Sequence, residues 1–505
     1  MVSEVLDDLL VLQELDRKAF MSKTKESDIE WTPNLTKLVN RVITHYENHY
    51  RVESDLIKDS VQVLLLLSHV WPSYLEDAFL WVGGWRPSIA FHLLDFNPEV
   101  QLGVEVSELL KGVGMRQFKD ILPSQLVRVD ELQRLTIQAE NELTRSLAEP
   151  ISPMESSTKS SSDDSMMTEV YGHGNLGEIF GKADDLRLKT LKNLVQILSP
   201  IQAVQLFIPA AQLHLKVHTW GKNKERAHTR RIQHEHDIAE GGGSRKGGLE
   251  SRGGVFETLF LEQQRDLEEL KLAAKAYTES TQSSAELTQN LQGLVSIVIC
   301  HYENYYRVKS ELAKQNIFCM ITPAWRSLLE HAFLWIGGCR PSTTFHLLYT
   351  IAGLHVKSGL SKLLDGSSKT CDLGWLSPSQ LTRVDELQMN TIKEERELSE
   401  KLASFQETMA DSSMVELSRE ATESKARDRV GTVSIKKRVE LTLGHKEDKL
   451  KEIFRKANDL RMKTLKKVVE VLSPIQAVDF LIAAAELHLR VREWGKDKDA
   501  DQQQH

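Results

Sequence analysis

Ile179-Phe180-Gly181-Lys182-Ala183-Asp184-Asp185-Leu186-Arg187-Leu188-Lys189-Thr190-Leu191-Lys192-Asn193-Leu194-Val195-Gln196-Ile197-Leu198 is the stretch that decides the fold. With Leu176 before it, apolar residues fall at Ile179, Phe180, Ala183, Leu186, Leu191, Leu194, Val195 and Leu198. That is the i, i+3, i+4, i+7 stripe of a helix with one face buried. Lys and acidic residues fill the opposite, solvated face. The stretch runs into Ser199-Pro200-Ile201-Gln202, where a second helix begins. Ser accepts from the N3 amide, Pro occupies N1, where no amide proton is missed, and Gln reaches back to the cap. No run of the chain alternates as a half-buried strand does, so the fold class is all-α.

The same pattern returns at Leu450, Ile453, Phe454, Ala457, Leu460, Leu465, Val468 and Leu472, and Leu198 to Val204 recurs letter for letter at Leu472 to Val478. His45-Tyr46-Glu47-Asn48 returns at His301 to Asn304, and Phe79-Leu80-Trp81-Val82-Gly83-Gly84-Trp85-Arg86-Pro87-Ser88 at Phe333 to Ser342. Pro123-Ser124-Gln125-Leu126 returns at Pro378 to Leu381. Four offsets of 256, 254, 255 and 274 residues, in chain order, mean two long copies of one helical-bundle domain. Ser377-Pro378-Ser379-Gln380 repeats the capping box, whereas the first copy has Leu122 in place of that Ser. Gly83-Gly84 and Gly337-Gly338 are expected to end one helix, and Pro87 and Pro341 to start the next.

Composition places a first domain at 1–222 with an internal Ser-rich linker at 149–172, then a basic and Gly-rich flexible linker at 223–255. A second domain follows at 256–497 with an internal polar linker at 407–445, and a disordered tail at 498–505. The glycine tract Gly241 to Gly248 lacks the G-K-[ST] spacing of a phosphate loop. A net charge of −8 over 505 residues argues against whole-surface attraction to nucleic acid or anionic membrane. The four cysteines, all in the second copy, form no C-x-x-C pair, so a disulfide framework or zinc site is not expected. Met1 to Asp8 shows no basic-then-apolar leader, and the apolar stretch Val61 to Trp71 is too short to span a bilayer. No nucleophile–base pair or metal quartet appears at motif spacing, so no enzyme activity is expected.

Several words, in order, carry a family resemblance: Ala78 to Ser88, Gln125 to Gln133, Ala183 to Leu191, Leu198 to Val204 and Leu213-His214-Leu215, with their second-copy counterparts. They resemble the plant Delay of Germination domain of seed-dormancy regulators, which also follows the bZIP of TGACG-motif-binding transcription factors. The resemblance implies an all-helical, non-enzymatic regulatory domain, nuclear or cytoplasmic, acting through protein partners such as a protein phosphatase or a bZIP factor. Residues 1 to 40 hold no basic helix followed by heptads, so no direct major-groove reader is identified in this chain.

Two places could carry chemistry. His214 and His218 stand one turn apart on one helix face, and two readings fit them: a haem or metal site, or two histidines closing the end of a packed helix. The resemblance implies haem at this first-copy pair. The second copy keeps His488 but has Arg492, which cannot lose its proton to become a ligand. Pro209 lies inside that first-copy helix and is expected to kink it. The second place is the Gly-Gly break. Trp85, Arg86 and Arg340 beside it are candidate partner-binding residues, with the Arg-Pro-Ser end expected at the surface, since Trp and Arg concentrate in interface hot spots. Trp81 and Trp335 are expected in the core. His45 and His301 read as structural, because a carboxylate two residues on does not share their helix face.

Overall fold

The computed structural model describes residues 31–59, 73–94, 121–147, 173–240, 249–279, 285–323, 325–364, 375–423 and 429–502. Among the described residues, six helices form from the first copy: α1 (Trp31–Asp59), α2 (Tyr74–Asp77), α3 (Ile89–Leu94), α4 (Pro123–Ser146), α5 (His173–Ile197) and α6 (Pro200–Glu240). Nine follow: α7 (Leu249–Glu279), α8 (Ala285–Gln315), α9 (Phe318–Ile321), α10 (Leu328–Ala332), α11 (Thr343–Leu364), α12 (Pro378–Glu407), α13 (Ser412–Glu423), α14 (Arg429–Val471) and α15 (Pro474–Gln502). A 3-10 turn at Thr408–Ala410 precedes α13. Among the described residues the only extended pairings are two isolated bridges, Trp81 with Gly84 and Trp335 with Gly338. The fold is all-α and two-copied.

The starts of the long helices follow the chemistry of their caps. Ser199 N donates to Gln202 Oε1 at 2.8 Å, and Gln202 N to Ser199 Oγ at 3.4 Å, which closes the box ahead of α6. The box ahead of α12 closes the same way, at 2.9 Å and 3.2 Å. At α4 only half of it exists: Leu122 N donates to Gln125 Oε1 at 3.0 Å, but Leu122 offers no side-chain acceptor in return. Gln125 and Gln380 have a second task. Their Nε2 groups donate to Ile197 O at 2.7 Å and Val471 O at 3.0 Å, carbonyls left open at the ends of α5 and α14.

The chain divides into two compact units. The first comprises the described residues of Met1–Glu225 and Ala403–Lys446, the second those of Arg226–Leu402 and Glu447–His505. In the first, α5 packs against α4 and α1. Its apolar stripe is buried at Ile179, Ala183 and Leu194, as are Leu35, Leu38 and Val42 of α1. In the second, α15 is central and packs on α7, α8, α10 and α11. Phe480, Phe345, Val384 and Val468 are fully enclosed there.

Three expected linkers or tails differ from the observed structure. Helix α6 continues to Glu240 through the basic run, and α7 already begins at Leu249, so only 241–248 of that segment falls outside the described residues. Lys222 to Glu240 lacks Gly and Pro, and a charged run without helix breakers can form helix; composition alone does not separate it from a tether. The polar segment 407–445 is largely helical too. Met409, Ala410, Met414, Val415 and Leu417 are all buried, a sparse stripe hidden among polar residues. The chain end is helical to Gln502. The Ser-rich segment 149–172 lies outside the described residues.

Candidate functional site

The Gly-Gly words form a hairpin turn and not a helix end. Trp81 N donates to Gly84 O at 2.7 Å, and Gly84 N returns to Trp81 O at 3.2 Å. Both central residues have positive φ, +46° at Val82 and +75° at Gly83, as a type I′ turn requires. The second copy repeats it with Ile336 at +48° and Gly337 at +68°. A β-branched residue in the left-handed region costs about 1–2 kcal/mol, so something must hold the turn. Arg187 of α5 does so. Its guanidinium donates to Val82 O at 2.7 Å, to Trp85 O at 2.9 Å and also to Trp81 O. Arg461 of α14 does the same for Ile336 O at 3.1 Å, Cys339 O at 2.7 Å and Trp335 O. A Cβ on Gly84 would stand 2.7 Å from the Arg187 guanidinium carbon, so a side chain there would push the guanidinium off the turn.

Around this turn the partner-binding candidates take their places. Arg86, expected at the surface, is only 5% exposed. Its guanidinium donates to Glu140 Oε2 of α4 at 2.8 Å and to Gln406 Oε1 at 2.9 Å, and it lies 5.1 Å from the Trp81 ring. Ser88 N donates to the same Glu140 at 2.7 Å. The surface expectation fails because Pro87 turns the chain inward onto α4, where a buried carboxylate satisfies both groups. Arg340 sits against Glu395 at 3.7 Å with its side chain 17% exposed. Trp85 is half-buried, its ring 5.2 Å from that of His214. Trp81 and Trp335 are buried as expected, and their indoles donate to Thr144 at 2.9 Å and Ser399 at 3.0 Å.

The two histidines meet at a carboxylate that sequence reading did not single out. Glu76 of α2 is 1% exposed; His218 Nδ1 lies 3.3 Å from its Oε2, and His214 Nε2 lies 4.0 Å from its Oε1. Helix α6 runs unbroken through Pro209, so the pair stays on one face. Burial first, and His218 after it, pushes the His214 imidazole towards its neutral form, against the pull of Glu76. In the second copy, Glu330, His488 and Arg492 stand at the matching places. His488 Nδ1 lies 2.9 Å from Gln263 Oε1, and Arg492 donates to Glu257 at 2.6 Å with its guanidinium 3.7 Å from the Phe260 ring. One turn beyond each pair, Gly221 and Gly495 press on Ser73 and Ser327, where an added Cβ would fall 2.0 Å from the hydroxyl oxygen.

That packing bears on haem. Axial ligands approach an iron from opposite faces of the macrocycle, whereas His214 and His218 project from one helix face onto one carboxylate. Gly221 of α6 lies close against Ser73, and Glu76 receives both rings. The pair as arranged does not fit a haem held by both imidazoles. Among the described residues, no cluster of three His, Cys, Asp or Glu side chains is placed to hold a metal ion.

Sequence reading also missed Glu140, Glu395, Arg187 and Arg461 as the groups that fix the turn. The available signal was their recurrence at matching places in both copies. His301, read as structural, faces α7, with Nδ1 2.9 Å from Asp266.

The family model described as seed dormancy control, DOG1, matches residues 12–95 and again 267–350, and each match contains one hairpin turn. Protein DOG1-like 3 of Arabidopsis thaliana is 31% identical over 212 residues, spanning 41% of this chain and 72% of that protein. Protein DOG1-like 1 of the same plant is 30% identical over 252 residues, spanning 46% of this chain and 87% of its own length. The chain belongs to the DOG1 family. Transcription factor TGA6 of Arabidopsis thaliana is 27% identical over 231 residues, spanning 46% of this chain and 59% of that factor. The likeness to the DOG1 family and to TGA factors stated from the sequence is thereby shown. No helix among the described residues is long and apolar enough to cross a membrane.

Proposed function

We propose that this DOG1-family chain is a non-enzymatic regulator that works by binding protein partners, in the control of transcription or of seed dormancy and abscisic-acid signalling. Its partner is a protein phosphatase or a bZIP factor, and it acts in the nucleus, the cytoplasm or both. The observation that carries this reading is the double match to the seed dormancy control model, together with the likeness to proteins named as transcription factors. The site geometry supports it. The conspicuous histidines, arginines and tryptophans bond one another and the turn, as residues that fix a shape do. Two copies in one chain can hold two partners, or two faces of one, at raised local concentration.

The test is a titration of the purified full chain with a purified TGA-type bZIP factor and, separately, with a protein phosphatase. Saturable binding to one of them, with altered dormancy in seeds lacking the chain, is the expected outcome. Binding to neither, with unchanged dormancy, contradicts the reading.

A further inference from the structure

The segment Ala403–Glu423 comes from the second copy in sequence yet belongs to the first unit in space, and it sits there as a ligand sits in a receptor. Phe405 stacks on Phe79 with ring centroids 4.7 Å apart. The Gln406 amide is read at both ends, since its Oε1 accepts from Arg86 Nε at 2.9 Å and its Nε2 donates to Leu80 O. Glu407 accepts from Ser88 Oγ at 3.1 Å and lies 3.6 Å from His92 Nε2. The turn Thr408–Ala410 then packs on α3, and α13 follows with Met414, Val415 and Leu417 buried. Lys216 Nζ closes the far end by donating to Ala421 O at 2.8 Å.

An aromatic ring in an apolar slot, an amide read as donor and acceptor, a carboxylate beside a histidine and an apolar helix face are the parts of helix-in-groove recognition. Both candidate arginines belong to this comparison: Arg86 is covered by Gln406, whereas Arg340 at the matching place in the second unit keeps its side chain three times as exposed, 17% against 5%.

We propose that the face formed by Phe79, Leu80, Arg86, Ser88, His92 and Lys216 is a docking surface for an amphipathic protein helix led by an aromatic–Gln–acidic triplet, and that Ala403–Glu423 occupies it as a built-in competitor. This rests on the reading that the protein acts through protein partners. Because the competitor is tethered, its effective concentration is high, and a partner must displace it to dock.

The test uses the full chain and a fluorescent synthetic peptide of Ala403–Glu423, followed by anisotropy. In a chain carrying Met414→Asp and Val415→Asp the face is vacated, and the peptide binds at least about tenfold tighter than to the unaltered chain, where the tethered copy competes. A peptide with Phe405→Ala and Gln406→Leu loses that binding. Equal binding to both chains, or none to the opened one, overturns the proposal. Should the aspartate variant lose its helical circular dichroism, the unaltered chain decides. Millimolar peptide must then accelerate amide exchange across Met414–Ser418, and unchanged exchange overturns the proposal. Peptide binding without phosphatase or bZIP binding leaves this surface standing and removes those partners; the reverse result removes this surface alone.

Discussion

Val82 and Ile336 occupy a conformation that β-branched residues avoid, and each is held there by one arginine from a distant helix. Type I′ turns favour Asn-Gly, so Val82→Asn should relieve the strain and raise stability by about 1 kcal/mol. Urea unfolding with an unchanged m value is the check. Removing the brace acts the other way. Arg187→Ala takes the arginine donor from the carbonyls of Val82 and Trp85, leaves Trp81 O with Gly84 N alone and Asp184 without its cation, and should cost about 3–5 kcal/mol. His488 supplies a pH dependence. Burial first, then Arg326, Arg492 and Lys309, pushes its imidazole down to about 3. A histidine kept neutral by folding gives its full stability above about 6.5, the unfolded value, and loses it as pH falls towards the folded value. At pH 5 that amounts to about 2 kcal/mol. His49, pushed down to about 4 mainly by burial, adds to the same loss. The fall in melting temperature between pH 7 and pH 5 should therefore shrink in His488→Gln, and an equal fall in both proteins would refute the assignment.

At the scale of elements, helix starts are set by residues three apart. Leu122→Ser should complete the box at α4 and stabilise by about 1 kcal/mol in chemical denaturation, without changing the fold. The long helices were legible because their stripes and caps are local signals; Ile179 to Leu198 and its second-copy twin are buried where the period of 3.6 places them. Three things were not legible. The charged run Lys222–Glu240 is helical without an apolar face. The segment after Glu407 hides buried residues such as Met409, Met414, Val415 and Leu417 in a polar composition. The Gly-Gly turn looks like a helix end because glycine serves both. The candidate site was half legible. The His-x-x-x-His word and the Arg-Pro-Ser word were visible, but Glu76 and Glu140, the carboxylates that receive them, lie 138 and 54 residues away from His214 and Arg86 and carry no periodic mark.

For the whole molecule, duplication in sequence and division in space do not coincide. Two matches to one family model define the copies, yet the first unit is completed by Ala403–Lys446 from the second copy. Contacts such as Gln406 to Leu80, 326 residues apart, cannot be read from periodicity, since nothing local records which distant segment covers a face. The most direct measurement is a cross-link. The full chain, with its four native cysteines changed to serine, carries His92→Cys and Glu407→Cys, two partly exposed positions 3.6 Å apart, and is treated with a short bismaleimide. The account predicts rapid linkage of the two positions within one chain, at monomer mass; no linkage, or linkage only between chains, would contradict it.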